Sequence, residues 1–160
     1  MSPIIPKNFD EVTSEWLSAV MSSDITAISS ERIGEGIGLM GDIHRVKLTH
    51  KSNTDGKPGS VVVKLPSTFE ENREQGVALG MFEAEVRFYA DLGEKTGTGL
   101  PKIYFSKIHS GTADFVIVME DLSDLTMVDQ SAGMSFEQAL AAVKVLANIH
   151  AVWWGKVKTE

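Results

Sequence analysis

Three glycines in the N-terminal third of the chain could form a phosphate-binding loop. Residues 36–43 read Gly-Ile-Gly-Leu-Met-Gly-Asp-Ile, so Gly36, Gly38 and Gly41 match the pattern G-x-G-x-x-G. Glycine lets a backbone turn tightly and approach a phosphate group without the steric cost of a Cβ atom. The pattern alone is weak, because two kinds of phosphate-binding fold share it and an ordinary hairpin turn can contain it by chance.

The segment after the last glycine discriminates between the two folds. A dinucleotide-binding fold places a helix there, so that the pyrophosphate lies at the N-terminus of that helix. Residues 42–50 instead alternate like a β-strand, with His44, Val46 and Leu48 on one face, and lead into a turn over 53–59. A strand–loop–strand arrangement indicates the glycine loop of a kinase-like fold, and no Walker A lysine follows it.

A single lysine closes the next strand. Lys64 ends the run Ser60-Val61-Val62-Val63-Lys64, one hairpin after the glycine loop. This is where a kinase-like fold needs a cation for the phosphates of a nucleotide. The alternative is a lysine at a strand end that simply points into water.

A carboxylate on the following helix is expected to need a partner. Glu83 and Arg87 are four residues apart and can pair on the surface. Glu85, by contrast, has apolar or amphipathic neighbours one turn away: Met81, Phe82, Phe88 and Tyr89. An unpaired buried carboxylate is costly, so we predict that Glu85 pairs with Lys64 and holds it extended towards phosphate. The alternative is a position at the rim of the apolar stripe.

An apolar strand that ends in two acids could bind a nucleotide base. Residues 115–122 read Phe-Val-Ile-Val-Met-Glu-Asp-Leu. We predict that adenine contacts apolar side chains here, Met119 among them, and bonds to the carbonyl of Glu120 and the N–H of Leu122. The side chains of Glu120 and Asp121 are expected to be solvated. The alternative is an ordinary buried strand with a polar end.

The elements that must position these residues follow from hydrophobic periodicity. Strands are predicted over 25–33, 42–50, 61–63, 103–109 and 115–119, the last two joined by a hairpin. Helices are predicted over 10–21, capped by Asp10 or Thr13, over 69–92, weakened by Gly76 and Gly80, and from Ser135 onward, with Gln138 at capping-box spacing. Strands clustered in hairpins around one long helix predict an α+β fold and not a βαβ alternation.

Taken in order, these motifs resemble the aminoglycoside/choline/ecdysteroid-kinase-like phosphotransferases. The resemblance adds the last helix, Leu-Ala-Asn-Ile-His-Ala-Val-Trp-Trp-Gly over 146–155, and covers the chain from about Trp16 to Gly155. It implies a protein-kinase-like N-lobe with a five-stranded antiparallel sheet and one long helix. The implied divisions are an N-lobe over 1–119, a hinge over 120–134, and the first helix of a C-lobe over 135–160.

The resemblance also implies a function. Such enzymes use ATP (or GTP) with Mg²⁺ and transfer phosphate to a hydroxyl group of a small molecule. On this analogy Lys64 holds the α- and β-phosphates, Glu85 orients Lys64, and the loop from Gly36 to Gly41 covers the phosphates. His150 has a packing role in this reading.

The chain departs from the family pattern where the chemistry would occur. The catalytic Asp of an H-x-D loop and the Asn and Asp that follow it have no counterpart, since only residues 151–160 follow His150. Asp124 and Asp129 fit no such loop. We therefore expect no catalytic residue and no metal ligand within these 160 residues, no activity from them alone, and a missing C-lobe as partner.

Composition excludes other classes. With 22 acidic and 15 basic residues and a net charge of -7, nucleic acid is not an expected partner. The absence of cysteine excludes thiol chemistry, and without a secretory signal or a long apolar run we expect a cytoplasmic protein with no membrane partner. Two alternatives stay open: a non-catalytic nucleotide-binding or protein-interaction module that uses the last helix, and a dinucleotide-dependent oxidoreductase, which Lys64 and the strand after the glycines disfavour.

Overall fold

The structure is a computed structural model, and it describes residues 3–34, 40–51, 56–97, 99–129 and 131–156. The strands are β1 (Ile25–Ile33), β2 (Gly41–His50), β3 (Ser60–Pro66), β4 (Ile103–Ile108) and β5 (Phe115–Glu120). The helices are α1 (Ser14–Met21), α2 (Glu70–Ala78), α3 (Met81–Arg87), a π-helical turn (Phe88–Gly93), the short α4 (Glu94–Thr96) and α5 (Phe136–Trp153), preceded by a 3-10 turn (Phe9–Glu11).

The strands form one five-stranded sheet in the order β1-β2-β3-β5-β4, and every neighbouring pair is antiparallel. This confirms the predicted α+β class and the kinase-like N-lobe architecture. Lys64 lies in the central strand, opposite Ile43 of β2 and Ile117 of β5. The sheet therefore places the end of the glycine loop next to Lys64.

The face of the sheet opposite Lys64 carries the larger core. The N-terminal segment and α1 cover it, and Thr13 caps α1 by accepting a hydrogen bond from the backbone N–H of Trp16. The indole N–H of Trp16 donates to the carbonyl of Ile4 and so ties the segment to the helix. The fully buried residues of this layer are Leu17, Val46, Val61, Val63, Leu65, Val116 and Val118.

The prediction of one continuous helix over 69–92 is wrong in its continuity. Helix α2 ends before Gly80, which adopts a left-handed φ of 64° and begins α3. Glycine has no Cβ atom and adopts this conformation without steric cost, so the helix is interrupted there. The break lets Phe82 fold back so closely against Gly76 that a Cβ at that position would overlap its ring.

The last helix begins as predicted. Ser135 and Gln138 form both hydrogen bonds of a capping box at the start of α5. Its contacts with the rest of the described chain include a hydrogen bond of 3.0 Å from the indole N–H of Trp153 to Thr96 Oγ1, and the packing of Val145 against Gly99. An apolar stripe stays exposed on its surface, formed by Leu140, Val143 and Leu146. In the part of the chain that the structure describes, α5 and the other helices are too short or too polar to cross a membrane.

Candidate functional site

The ion pair predicted between strand and helix is present. Lys64 Nζ lies 2.8 Å from Glu85 Oε1 and 2.7 Å from Oε2, so the ammonium contacts both carboxylate oxygens. Both side chains are partly shielded, with 20% of Lys64 and 29% of Glu85 exposed. A partly buried ion pair is weak evidence for a contribution to stability, but this contact defines where the ammonium lies.

The last glycine of the loop motif leaves room for this lysine. A Cβ on Gly41 would lie 3.0 Å from Lys64 Cε and 3.3 Å from the carbonyl oxygen of Leu65. Any larger residue would therefore press on the extended Lys64 side chain. Gly36 and Gly38 lie outside the described residues, so the predicted phosphate loop stays a prediction there.

An apolar surface adjoins Lys64 on the same face of the sheet. Cross-strand partners share a face, so the pairing of Ile33 with Ile43, and of Ile43 with Lys64, aligns these three side chains. Two residues nearer the hinge, Val62 pairs with Met119. All four apolar side chains are only partly buried. A flat apolar ligand group could pack there, within reach of the cation.

Three members of this surface were not singled out from the sequence as binding residues: Ile33, Ile43 and Val62. A signal for two of them was available. Side chains in a strand alternate between the two faces of the sheet, so Val62 must share the face of Lys64. By the same alternation, Ile43 must lie on the other face of its strand from the buried Val46. Ile33 requires the pairing of β1 with β2, which the sequence does not show.

The predicted hinge segment begins directly after Met119 of this surface. The Glu120 N–H donates to the carbonyl of Lys102 at 2.8 Å, and Glu120 Oε2 accepts from the Lys102 N–H at 3.0 Å. The Glu120 side chain is therefore turned towards the chain before β4. Leu122 is 41% exposed. Nucleotide binding by Met119, Glu120 and Leu122 stays a prediction.

The expectation that the Asp121 side chain is solvated is wrong. That side chain is only 5% exposed. Its Oδ2 accepts a hydrogen bond from Ser60 Oγ at 2.7 Å, and its Oδ1 accepts one from Arg45 Nε at 3.2 Å. Because β3 pairs with β5, Ser60 begins its strand beside the residue that follows β5, and this brings the partners together.

The charges in this cluster stabilise one another. Burial by itself would raise the pKa of the Asp121 carboxyl, but hydrogen bonds from Ser60, Arg45 and Ser123 outweigh it and lower the pKa. The pKa of the Arg45 guanidinium is raised mainly by its hydrogen bond to Glu31 and, to a smaller extent, by its hydrogen bond to Asp121. Both groups are therefore held in their charged forms.

A second buried acid lies next to the last glycine of the loop motif, on the face of the sheet opposite Lys64. Asp42, the residue after Gly41, is 7% exposed, and its Oδ1 accepts a hydrogen bond from Arg32 Nε at 2.7 Å. This contact joins the end of β1 to the start of β2, the two strands that the loop connects. Sequence reasoning did not single out Asp42, because its burial depends on the pairing of the two strands.

The predicted pair of Glu83 and Arg87 on α3 is present, and Glu83 has further hydrogen-bond partners outside the helix. Arg87 Nη2 lies 2.6 Å from Glu83 Oε1. Glu83 also accepts hydrogen bonds from Ser110 Oγ and the Gly111 N–H of the β4–β5 hairpin, and these lower the pKa of its carboxyl. Helix α3 is thereby tied to the β4–β5 hairpin.

A groove of about 820 Å³ lies at the edge of the sheet, between the π-helical turn and β4. Tyr89, Tyr104 and Glu120 are among its lining residues, whereas Lys64 and Glu85 are not. Burial is the main cause that raises the pKa of both tyrosines. The nearby carboxylate of Glu85 raises the pKa of Tyr89 further, and that of Glu120 raises the pKa of Tyr104 further. We place the site at Lys64, because a positioned cation, its carboxylate partner and an apolar surface meet there.

A cation beside a partly exposed apolar surface has the chemistry to suit a nucleotide. Lys64 offers a cation for phosphate oxygens, and the surface of Ile43, Val62 and Met119 suits a base. Among the described residues, no group of three or more His, Asp or Glu side chains could hold a metal ion. That the ligands of Mg²⁺ lie outside this chain stays a prediction.

Comparison with known proteins gives one family. The model of the ecdysteroid kinase-like family matches residues 35–154. This range includes the glycine motif, Lys64, Glu85, the hinge segment and α5. No curated protein and no solved structure matches the chain significantly.

Proposed function

This chain belongs to the ecdysteroid kinase-like family, and we propose that it is the ATP-binding part of a phosphotransferase that phosphorylates a hydroxyl group of a small molecule. The observation that carries this proposal is the bidentate contact between Lys64 and Glu85 beside a partly exposed apolar surface. A kinase-like fold uses such a pair to hold its lysine against the phosphates of the nucleotide.

Lys64 would bind the α- and β-phosphates. Its ammonium has three donors, and the two oxygens of Glu85 use up to two of them, so at least one donor can meet a phosphate oxygen. The glycine loop from Gly36 to Gly41 would cover the phosphates with backbone N–H groups. The nucleotide would supply the phosphoryl group that is transferred.

The base would lie on the apolar surface of Ile33, Ile43, Val62 and Met119. The carbonyl of Glu120 and the N–H of Leu122, two residues apart in the hinge, would bond to its edge. Adenine and guanine both offer flat apolar faces, so this surface accepts either base, and the edge contacts would decide between ATP and GTP.

The transfer step would require groups beyond these residues. Among the described residues, no group of three or more His, Asp or Glu side chains that could hold a metal ion accompanies Lys64. Phosphoryl transfer depends on positioning and on neutralising charge with metal ions, so it would need a catalytic Asp loop and a set of metal ligands. We propose that a C-terminal lobe supplies both, together with the pocket for the hydroxyl acceptor, and that the exposed stripe of α5 packs against that lobe.

The test is nucleotide binding by the purified chain and by Lys64→Met. The wild type should bind ATP, and Lys64→Met should weaken binding by about tenfold or more, the equivalent of ~1.4 kcal/mol. Lys51→Met, just after the end of β2 that is far from Lys64, is the matched control and should bind as the wild type does. Equilibrium dialysis with ATP and with NAD measures both. Binding of NAD without ATP would refute the proposal in favour of an oxidoreductase.

A second candidate is a non-catalytic nucleotide-binding or interaction module. The exposed residues Leu140, Val143 and Leu146 of α5 favour it, because an apolar helix face of this kind can bind a partner protein. The two candidates differ in the native product. An intact mass of roughly twice one domain, with an H-x-D segment in its C-terminal peptides, supports the enzyme, whereas 17.4 kDa supports the module.

A further inference from the structure

A polar cluster joins the hinge to three strands of the sheet. Arg45 of β2 donates to Glu31 of β1 at 2.7 Å and to Asp121 at 3.2 Å, and Ser60 of β3 donates to Asp121 at 2.7 Å. Asp121 follows β5 directly. The cluster lies on the face that carries Lys64, at the end of the apolar surface nearest the hinge.

We propose that Asp121, held by Arg45 and Ser60, is a positioning residue that orients the hinge backbone for the nucleotide base. This inference rests on the proposed nucleotide site. Asp121 lies between Glu120 and Leu122, whose carbonyl and N–H would bond to the base. Rotation of the chain at Asp121 would turn the Leu122 N–H away.

The Asp121 side chain restrains the chain on both sides of this point. Its Oδ1 accepts a hydrogen bond from the Ser123 N–H at 3.1 Å, which closes a local turn over Leu122. The same carboxylate is anchored to the sheet through Ser60 and Arg45. The peptide group between Asp121 and Leu122 is therefore fixed from the sheet and from the following residue.

The charges explain why this pair restrains the hinge strongly. The Asp121 side chain is 5% exposed and that of Arg45 is 27% exposed, so water screens their contact less than it screens a surface pair. Glu31 is 60% exposed, so its bond to Arg45 contributes less. The guanidinium donates to the two acids from different nitrogens, Nη1 to Glu31 and Nε to Asp121, in a fixed planar geometry that a lysine ammonium lacks.

The experiment distinguishes the contribution of the base to nucleotide binding from that of the phosphates. Binding of ATP and of inorganic tripolyphosphate, which has no base, is measured by calorimetry for the wild type and for Asp121→Asn. We expect ATP affinity to fall by about tenfold, the loss of one charge-assisted hydrogen bond, and tripolyphosphate affinity to stay within about twofold, within calorimetric error. Asp124→Asn, the same change at an exposed acid of the hinge, should alter neither.

Ser60→Ala keeps the test informative if Asp121→Asn does not fold, because it removes one hydrogen bond and leaves the ion pair in place. It should also weaken ATP binding selectively, but less. Equal loss of both ligands, or unchanged ATP binding in a folded variant, overturns the inference while the proposed function stands. A wild-type chain that binds neither ligand refutes the proposed function and this inference with it.

Discussion

Lys64 of β3 and Glu85 of α3 share a contact in which one ammonium meets both carboxylate oxygens, at 2.8 and 2.7 Å. The contact joins the central strand to the helix that packs on it. Because α3 is also tied to the β4–β5 hairpin through Glu83, the carboxylate of Glu85 is held at a defined distance from the strand. The position of Lys64 therefore depends on the position of α3.

Glu85→Gln should weaken ATP binding by about three- to tenfold, because an amide replaces the charged partner at a cost of about 1 kcal/mol. Glu71→Gln is the matched control: it makes the same change at an exposed acid of the neighbouring helix α2 and should leave ATP affinity unchanged. Calorimetric titration of both variants measures this. Tighter binding by Glu85→Gln would show that Glu85 competes with phosphate for Lys64.

Gly76→Ala should destabilise the fold by about 1–2 kcal/mol. The new methyl group would overlap the Phe82 ring, which is 3% exposed and stacks on Phe115, so overpacking outweighs the gain in helix propensity. Urea unfolding measures the change. Gly59→Ala, where a Cβ meets open space, should be nearly neutral.

Gly76→Ala can also be tested in a second background, where Phe82 is replaced. In a Phe82→Leu background the ring is gone, so Gly76→Ala should become neutral or stabilising. If Gly76→Ala costs the same in both backgrounds, the overlap with Phe82 is not its cause.

The stability of the fold should fall in acid through Asp121. The pKa of its carboxyl is lower in the folded chain than its ordinary value of 3.8. A depressed folded pKa contributes stability that is complete above the ordinary value and is lost as pH falls through the folded value. Urea unfolding should therefore show the difference between wild type and Asp121→Asn shrinking below about pH 4.

Other acids will also titrate in this range, so the comparison with a matched variant matters. Asp124→Asn should follow the wild type in parallel over the same pH series. If the difference between wild type and Asp121→Asn is constant down to about pH 2.5, Asp121 does not contribute stability through its charge.

The exposed stripe of α5 should bind an apolar dye. Leu140 is 42%, Val143 60% and Leu146 48% exposed, a contiguous apolar face at helical spacing. Leu146→Lys should reduce the fluorescence of bound anilinonaphthalene sulfonate and any concentration-dependent association seen by ultracentrifugation. Asn148→Lys adds the same charge to the same helix and should leave both signals unchanged; equal effects would mean that net charge is responsible.

The predictions that succeeded rest on local patterns. Alternation of side chains placed the strands, and the spacing of Ser135 and Gln138 predicted the start of α5. Glu85 was assigned a cationic partner from its helical neighbours alone, and Lys64 occupies that place. Each of these depends on residues close in sequence, whose geometry is set by backbone sterics and helix or strand period.

What the sequence by itself determined is therefore the set of elements, the α+β class and the pairing of one cation with one carboxylate. The tertiary structure decided the break at Gly80, the apolar surface that includes Ile33, and the burial of Asp121. Arg45 and Ser60 reach Asp121 from 76 and 61 residues away. Such contacts follow from the register of strands that are distant in sequence, and register is set by the packing of the whole sheet and not by any local pattern.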